Sequence, residues 1–269
     1  MMRDRRDQIE VEGLQICYQR AGEGPPLLLL HGFVGDSREW RRQIEDLSDE
    51  FTMVAWDAPG SGGSADPPDT FRLADYADCL AGFIDTLRLG RLHVAGVSFG
   101  GALALELYRR HPALPMSLVL ASAYAGWAGS LPAEIVEQRL HQTLLAADLP
   151  PDQFVRSMIP TMFSESPPAE PVEEFRQIML EMHPGGFRTM ARSLAEADLR
   201  DVLARIAVPT LLLYGDKDVR APLTVAQDLH TKIPASRLVV MPGVGHMSSV
   251  EAAELFNTEV RGFLRSVQT

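Results

Sequence analysis

Apolar and polar positions change their period several times along the chain, and those changes predict where its elements lie. Ile9-Glu10-Val11 and Leu14-Gln15-Ile16-Cys17-Tyr18 alternate around Gly13, the pattern of an antiparallel hairpin at a sheet edge. Pro25-Pro26 then opens the unbroken run Leu27-Leu28-Leu29-Leu30, which reads as a strand covered on both faces. Thr52 to Trp56, Leu92 to Val97, Ser117 to Ala121, Thr210 to Tyr214 and Leu238 to Met241 are further strand-like runs. Between them Leu73, Tyr76, Leu80, Phe83, Ile84 and Leu87 recur at helical spacing. Other helices are expected from an Asp36 or Ser37 cap through Leu47, from Gly100 onward, near Pro222, and from Ser249 to Leu264.

Strands alternating with helices predict an α/β fold, a mostly parallel eight-stranded sheet with helices on both faces and ligands at the carboxyl ends of the strands. From about Tyr124 to Arg200 the texture changes. No strand-like run appears there, and Pro132, Pro151 and Pro171 each stand at the start of a helix-like segment. The expected organisation is therefore a core made of residues 1–123 and 201–269, interrupted by a helical cap over 124–200.

A chain of 269 residues that is 46% hydrophobic can bury one large core, so disorder is not expected. Its 25 basic and 36 acidic side chains leave a net charge of −11, a field that repels polyphosphate and anionic lipid. Neither nucleic acid nor membrane is an expected partner. Cys17 and Cys79 lie far apart, without a disulfide framework or a metal-ligand spacing, which points to a reducing cytosol and no metal. The stretch Met1-Met2-Arg3-Asp4-Arg5-Arg6-Asp7 is charged and no apolar run reaches membrane-spanning length. A cytoplasmic monomer or small homo-oligomer is the expectation.

The candidate chemistry begins at Gly96-Val97-Ser98-Phe99-Gly100, where a strand runs through a sharp turn into a small-residue helix. That is the context a nucleophile elbow needs, with Ser98 in strained backbone at the tip. Side chains two positions either side of Ser98 would collide with it, hence glycine at both. A serine hydroxyl needs a base, itself oriented by a third group. Gly243-Val244-Gly245-His246 follows the last strand and makes His246 the best placed of the seven histidines. The acid should come from Gly215-Asp216-Lys217-Asp218, after the preceding strand. Asp218, farther from the strand tip, is favoured, with Asp216 bracing the turn as an Asx-type acceptor. A developing oxyanion needs two preorganised donors, the backbone N–H of Phe99 and, from the His31-Gly32-Phe33 loop, that of Phe33. His31 itself is expected to hydrogen-bond locally and hold that loop.

The order Ser98, Asp218, His246, with His31-Gly32, the D-x-P-G-x-G-x-S loop from Asp57 to Ser64 and the G-x-x-D-x-x-x-P loop, resembles the α/β-hydrolase superfamily with a helical cap. The resemblance spans nearly all of the chain outside the cap. It implies Ser98 as nucleophile, His246 as general base and then acid, Asp218 as orienting acid, the Phe33 and Phe99 amides as oxyanion hole, and no cofactor. Haloalkane dehalogenases and soluble epoxide hydrolases of this fold carry Asp where Ser98 stands, and the cap lysine of hydroxynitrile lyases is missing. Gly245-His246-Met247-Ser248-Ser249-Val250-Glu251 is similar to enol-lactonases, and the elbow is near that of meta-cleavage-product hydrolases, whose Asn is Val97 here.

The cap segment holds six arginines against eleven acids, with Trp127, Phe187 and five methionines, Met158 and Met162 among them. An apolar, adaptable roof made by Trp127, Met158, Met162 and Phe187, over a floor of His31, Gly32 and Met247, favours a small neutral ester or lactone. A single buried arginine, such as Arg188 or Arg192, would reverse that preference. The expected activity is a serine carboxylesterase or lactonase. The rivals are a hydrolase of carbon–carbon bonds and a small-molecule receptor that kept the fold with little turnover; a perhydrolase side activity is compatible with the first.

Overall fold

The computed structural model describes residues 6–267, so residues 1–5 of the charged N-terminal stretch and residues 268–269 lie outside the described residues. Strands β1 (Asp7–Val11) and β2 (Leu14–Ala21) form the expected hairpin, with Ile9 opposite Ile16. β3 (Pro26–Leu30) is followed by a short 3-10 turn at Ser37–Trp40 that runs into α1 (Arg41–Leu47), then β4 (Thr52–Trp56) and α2 (Leu73–Thr86). Asp36 is the cap, its Oδ1 accepting the Arg38 N–H at 2.9 Å. β5 (Leu92–Val97), α3 (Phe99–Arg110) and β6 (Pro115–Ala121) complete the first half of the core.

Five helices come next: α4 (Trp127–Ser130), α5 (Ala133–Ala146), α6 (Pro151–Met162), α7 (Ala169–Leu180) and α8 (Pro184–Glu196). The chain returns to the sheet through α9 (Arg200–Leu203), β7 (Thr210–Gly215), α10 (Leu223–Lys232) and β8 (Ser236–Met241), and ends in α11 (Ser248–Glu251) and α12 (Ala253–Val267). The eight strands make one sheet in the order β1-β2-β4-β3-β5-β6-β7-β8. The β1–β2 and β2–β4 pairings are antiparallel and every other pairing is parallel.

Burial follows position in the sheet. Every residue of β4, β5 and β7 is buried, which is why their sequences are continuous rather than alternating. β8 is an edge, and Val240 is exposed although its run reads as buried. Three details depart from the sequence reading. The last helix is broken at Ala252 (φ −132°, ψ 51°), which separates α11 from α12. The helix credited to Pro171 starts at Ala169, with Pro171 inside its first turn. Helix α8 opens on Pro184, a start signal of the same kind as Pro151, but Gly185 and Gly186 behind it interrupt the helical periodicity, so the segment reads only as part of the cap.

Helices α4 to α8 meet the loops that follow the carboxyl ends of the core strands. A Cβ on Gly186 of α8 would lie 2.0 Å from the Gly60 carbonyl oxygen after β4, so only glycine permits that approach. Near the last loop, Met247 N–H donates to the Met162 carbonyl of α6 at 3.0 Å. Among the described residues no helix is long and apolar enough to cross a membrane, and no group of three or more His, Cys, Asp or Glu is placed to hold a metal ion.

Candidate active site

Between β5 and α3, Ser98 has φ 53° and ψ −108°, a conformation L-residues rarely adopt. Its N–H donates to the Ala121 carbonyl at 2.9 Å, which ties the turn to the neighbouring strand. The flanking glycines are required, although for a different reason from that expected. A Cβ on Gly96 would lie 2.2 Å from the Gly100 carbonyl oxygen, and one on Gly100 would lie 2.0 Å from the Leu30 carbonyl oxygen. Gly101 faces Ala123 in the same way, at 2.5 Å. The tightest collisions are thus with the departing helix and the end of β3. The result is a helix N-terminus pressed onto the sheet beside the Ser98 hydroxyl, with the Phe99 amide free of any partner four residues earlier in the helix.

Across the sheet, the loops after β7 and β8 bring Asp218 and His246 together. The imidazole Nδ1 lies 3.0 Å from Asp218 Oδ1 and 2.9 Å from Oδ2, and the two residues are 1% and 5% exposed respectively. Oδ1 also accepts the N–H groups of Arg220 and Ala221 at 2.9 and 2.8 Å, so the carboxylate is held by the backbone of its own loop. Burial alone would raise the Asp218 pKa, but the His246 ring and these hydrogen bonds outweigh it and hold the carboxyl below its ordinary value. With Nδ1–H donated to Asp218, the tautomer leaves Nε2 as an acceptor. Asp216 is exposed and instead accepts the Gly243 N–H at 2.6 Å, bracing the β7 and β8 loops against each other.

Ser122, at the end of β6, also has positive φ (47°), and its hydroxyl donates to the His246 carbonyl at 3.0 Å. Val97 pairs with Ala121, so Ser98 and Ser122 end adjacent strands and the His246 backbone is anchored one strand from Ser98. Among the described residues no hydrogen bond joins Ser98 Oγ to the imidazole; in sites of this kind the bond is often long until substrate binds. Ser98 is 5% exposed.

On the other side of Ser98, residues 32–35 form a turn closed by Gly35 N–H to the Gly32 carbonyl at 3.0 Å. A Cβ on Gly32 would stand 4.0 Å from Ser98 Cβ, which brings the Phe33 backbone beside the hydroxyl. His31 pins this loop: Nδ1 is 2.6 Å from the Gly32 carbonyl and Nε2 accepts the Ala58 N–H at 2.9 Å. Both ring nitrogens are therefore used, Nδ1 within its own loop and Nε2 to the loop after β4, and burial lowers the His31 pKa, keeping the ring neutral. Beneath the turn, the buried Glu39 carboxyl accepts the Gly32 N–H at 3.3 Å through Oε1, while Oε2 has no hydrogen-bond partner. Burial, the largest influence, pushes its pKa well above the usual range and so favours the protonated acid under the loop.

The Phe33 ring stacks on Phe187 of α8 at 4.9 Å and meets the edge of Trp127 at 6.4 Å. Of the residues expected to line a pocket, Met158 borders a cavity of about 500 Å3 between α5, α6 and the β7 loop. Met162 and Met247 contribute backbone to the hydrogen bond described above, and Trp127 and Phe187 form the aromatic contact over Phe33. Three residues near the site were not singled out from sequence. Ser122 and Glu39 carry no motif. Arg220 was hidden by the motif that contains it, the loop whose acid drew attention; its guanidinium lies 5.7 Å over the Phe33 ring.

Comparison with known proteins is consistent with this geometry. Residues 25–253 match the alpha/beta hydrolase fold family. The chain is 32% identical to the dihydrolipoyllysine-residue acetyltransferase component of the acetoin cleaving system of Pseudomonas putida, over 92% of this chain and 66% of that protein, so it spans just under two thirds of that relative. It is 27% identical to a pimeloyl-(acyl-carrier protein) methyl ester esterase of Vibrio campbellii, over 91% of this chain and 97% of the other. A thermophilic esterase from Thermogutta terrifontis, solved with malate bound, superposes with a TM-score of 0.90 at 30% identity, covering 98% of this chain and 100% of that one. With the sheet order, the elbow and the buried Asp–His pair in place, the chain belongs to the alpha/beta hydrolase fold family.

Proposed function

We propose that the protein is a serine hydrolase that cleaves a carboxylic ester or lactone through an acyl-enzyme, with Ser98, His246 and Asp218 as its triad and α4 to α8 as a cap over them. The observation that carries this reading is the buried Asp218–His246 pair at 2.9 Å, anchored one strand from a serine held at positive φ. The esterases of V. campbellii and T. terrifontis lend it support as relatives.

In this mechanism Ser98 Oγ attacks the carbonyl carbon as its proton passes to His246 Nε2, and Asp218 holds the imidazolium. The carbonyl π electrons move onto oxygen, where the Phe33 and Phe99 amides receive the negative charge. Collapse breaks the bond to the leaving oxygen, which takes the proton from His246; in a lactone that alcohol stays tethered to the acyl group. Water then gives a proton to Nε2, attacks the acyl carbon, and Ser98 leaves with the proton returned. Every step uses groups of this chain and water. The test is a panel of 4-nitrophenyl esters and aliphatic lactones, run with wild type and Ser98→Ala. Turnover that vanishes with Ser98→Ala supports the proposal, and turnover persisting at the wild-type level refutes it. A coloured dienolate that bleached while esters stayed intact would move the activity to carbon–carbon cleavage.

A further inference from the structure

Two arginines sit at the same cavity beside the proposed site, and neither forms an ion pair with a carboxylate among the described residues. Arg220, two residues after Asp218, donates through Nη1 to Thr161 Oγ1 at 2.9 Å and lies over the Phe33 ring. Arg139 of α5 donates to the Tyr124 hydroxyl at 2.9 Å and to the Arg220 carbonyl at 3.3 Å, and stacks over the Tyr124 and Trp127 rings at 5.6 and 5.4 Å. Both line the cavity of about 500 Å3, whose other walls include Leu145, Ala146, Leu149 and Met158.

Many arginines elsewhere are neutralised in pairs: Arg188, which could have turned the site toward anions, is spent on Asp148, and Arg41 on Glu45 and Glu174. A guanidinium carries five N–H donors. The bonds named use one from Arg220 and two from Arg139, which leaves donors at the cavity. Burial first, and then repulsion from Arg139, lowers the Arg220 pKa to about 10, so it keeps its charge at neutral pH. Two partly buried like charges with no carboxylate in direct contact, Arg220 being favoured only at longer range by Asp218 and Tyr124, are costly unless an anion completes them.

We propose that Arg139 and Arg220 form a carboxylate subsite, so that the substrate is an ester or lactone whose acyl part ends in a carboxylate. This rests on the serine hydrolase reading for the position of the scissile bond: the Phe33 amide is the proposed oxyanion donor, and its own ring is what Arg220 covers. On this proposal the substrate is not the neutral one expected from the apolar cap, because the apolar cavity walls carry two cations. The bidentate fork of Arg220 suits a carboxylate.

The test pairs mono(4-nitrophenyl) glutarate with its neutral counterpart 4-nitrophenyl valerate, each corrected for spontaneous cleavage, together with the stabilisation of Ser98→Ala by glutarate. Wild type should prefer the anionic ester by about tenfold or more in kcat/KM, the scale of a charge-assisted hydrogen bond. Arg139→Met should bring the ratio within about twofold through KM, and Arg139→Lys should recover part of it. Glutarate should raise the Tm of Ser98→Ala but not of Ser98→Ala combined with Arg139→Met. If neither ester is turned over and the glutarate shift still depends on Arg139, the hydrolase reading fails and the subsite stands. Should neither the ester ratio nor the glutarate shift depend on Arg139, the subsite is overturned, and the arginines only clamp aromatic rings.

Discussion

Replacing Asp218 by Asn tests its proposed role as orienting acid with almost no change of shape, and the structure says which way the amide must turn. Asp218 Oδ1 accepts the Arg220 and Ala221 N–H groups at 2.9 and 2.8 Å, and an amide nitrogen in that place would face two donors. The Asn carbonyl therefore takes that position, and the NH2 takes the position of Oδ2, 2.9 Å from His246 Nδ1. An NH2 there demands that Nδ1 accept, so the ring proton moves to Nε2 and the base can no longer take the serine proton. A swap of this kind costs about 10,000-fold in kcat, or roughly 5.5 kcal/mol of barrier. Backbone bonds to the loop survive, so the fold should too. The assay is kcat/KM for a 4-nitrophenyl ester, with circular dichroism and Tm recorded on the same samples. Asp216→Asn, whose carboxylate meets the Gly243 amide and the exposed Lys217 ammonium but not His246, should lose less than about tenfold. A folded Asp218→Asn enzyme within tenfold of wild type, or a larger loss from Asp216→Asn, would refute the reasoning.

Other outcomes follow from single contacts. Gly185→Ala should stabilise the protein by about 0.5–1 kcal/mol, because nothing lies within 4 Å of its added Cβ, whereas Gly186→Ala should destabilise it, since the Gly60 carbonyl oxygen is 2.0 Å from that position; thermal melts of the two neighbours should move in opposite directions. Glu39→Gln should change the pH dependence of stability. Its carboxyl has a raised pKa in the folded state, so the folded chain holds a proton that the unfolded chain releases; stability is full below the unfolded value near 4.3 and declines as pH rises toward the folded one, by up to about 1.4 kcal/mol per pH unit. The variant should gain on wild type between pH 5 and pH 8 in urea unfolding, and a difference constant across that range would contradict the assignment. Ser98→Gly should raise Tm while removing turnover, because glycine adopts φ 53° without the strain of about 1–3 kcal/mol that a side chain stores there.

The sheet was legible because buried parallel strands leave continuous apolar runs, and the loop motifs stand directly after those strands. The choice of Asp218 over Asp216 followed from reach alone: two residues further along the loop, the carboxylate turns inward to His246, while the earlier one stays exposed on Gly243. Less could be read where contact rather than period decides. Gly96 and Gly100 were recognised as necessary, yet what they avoid is the backbone of α3 and β3, which no local pattern encodes. Helix α8 was obscured by Gly185-Gly186, residues poor for a helix but needed for its approach to Gly60. Arg139 and Arg220 are 81 residues apart in sequence, and only the folded chain reveals that neither finds a carboxylate.

Labelling with a fluorophosphonate, followed by peptide mapping, tests the central claim most directly. Wild type should carry one adduct, on Ser98, and His246→Ala should acquire it far more slowly while remaining folded. An adduct on any other residue, or none on a folded wild-type protein that still hydrolyses esters, would contradict the account.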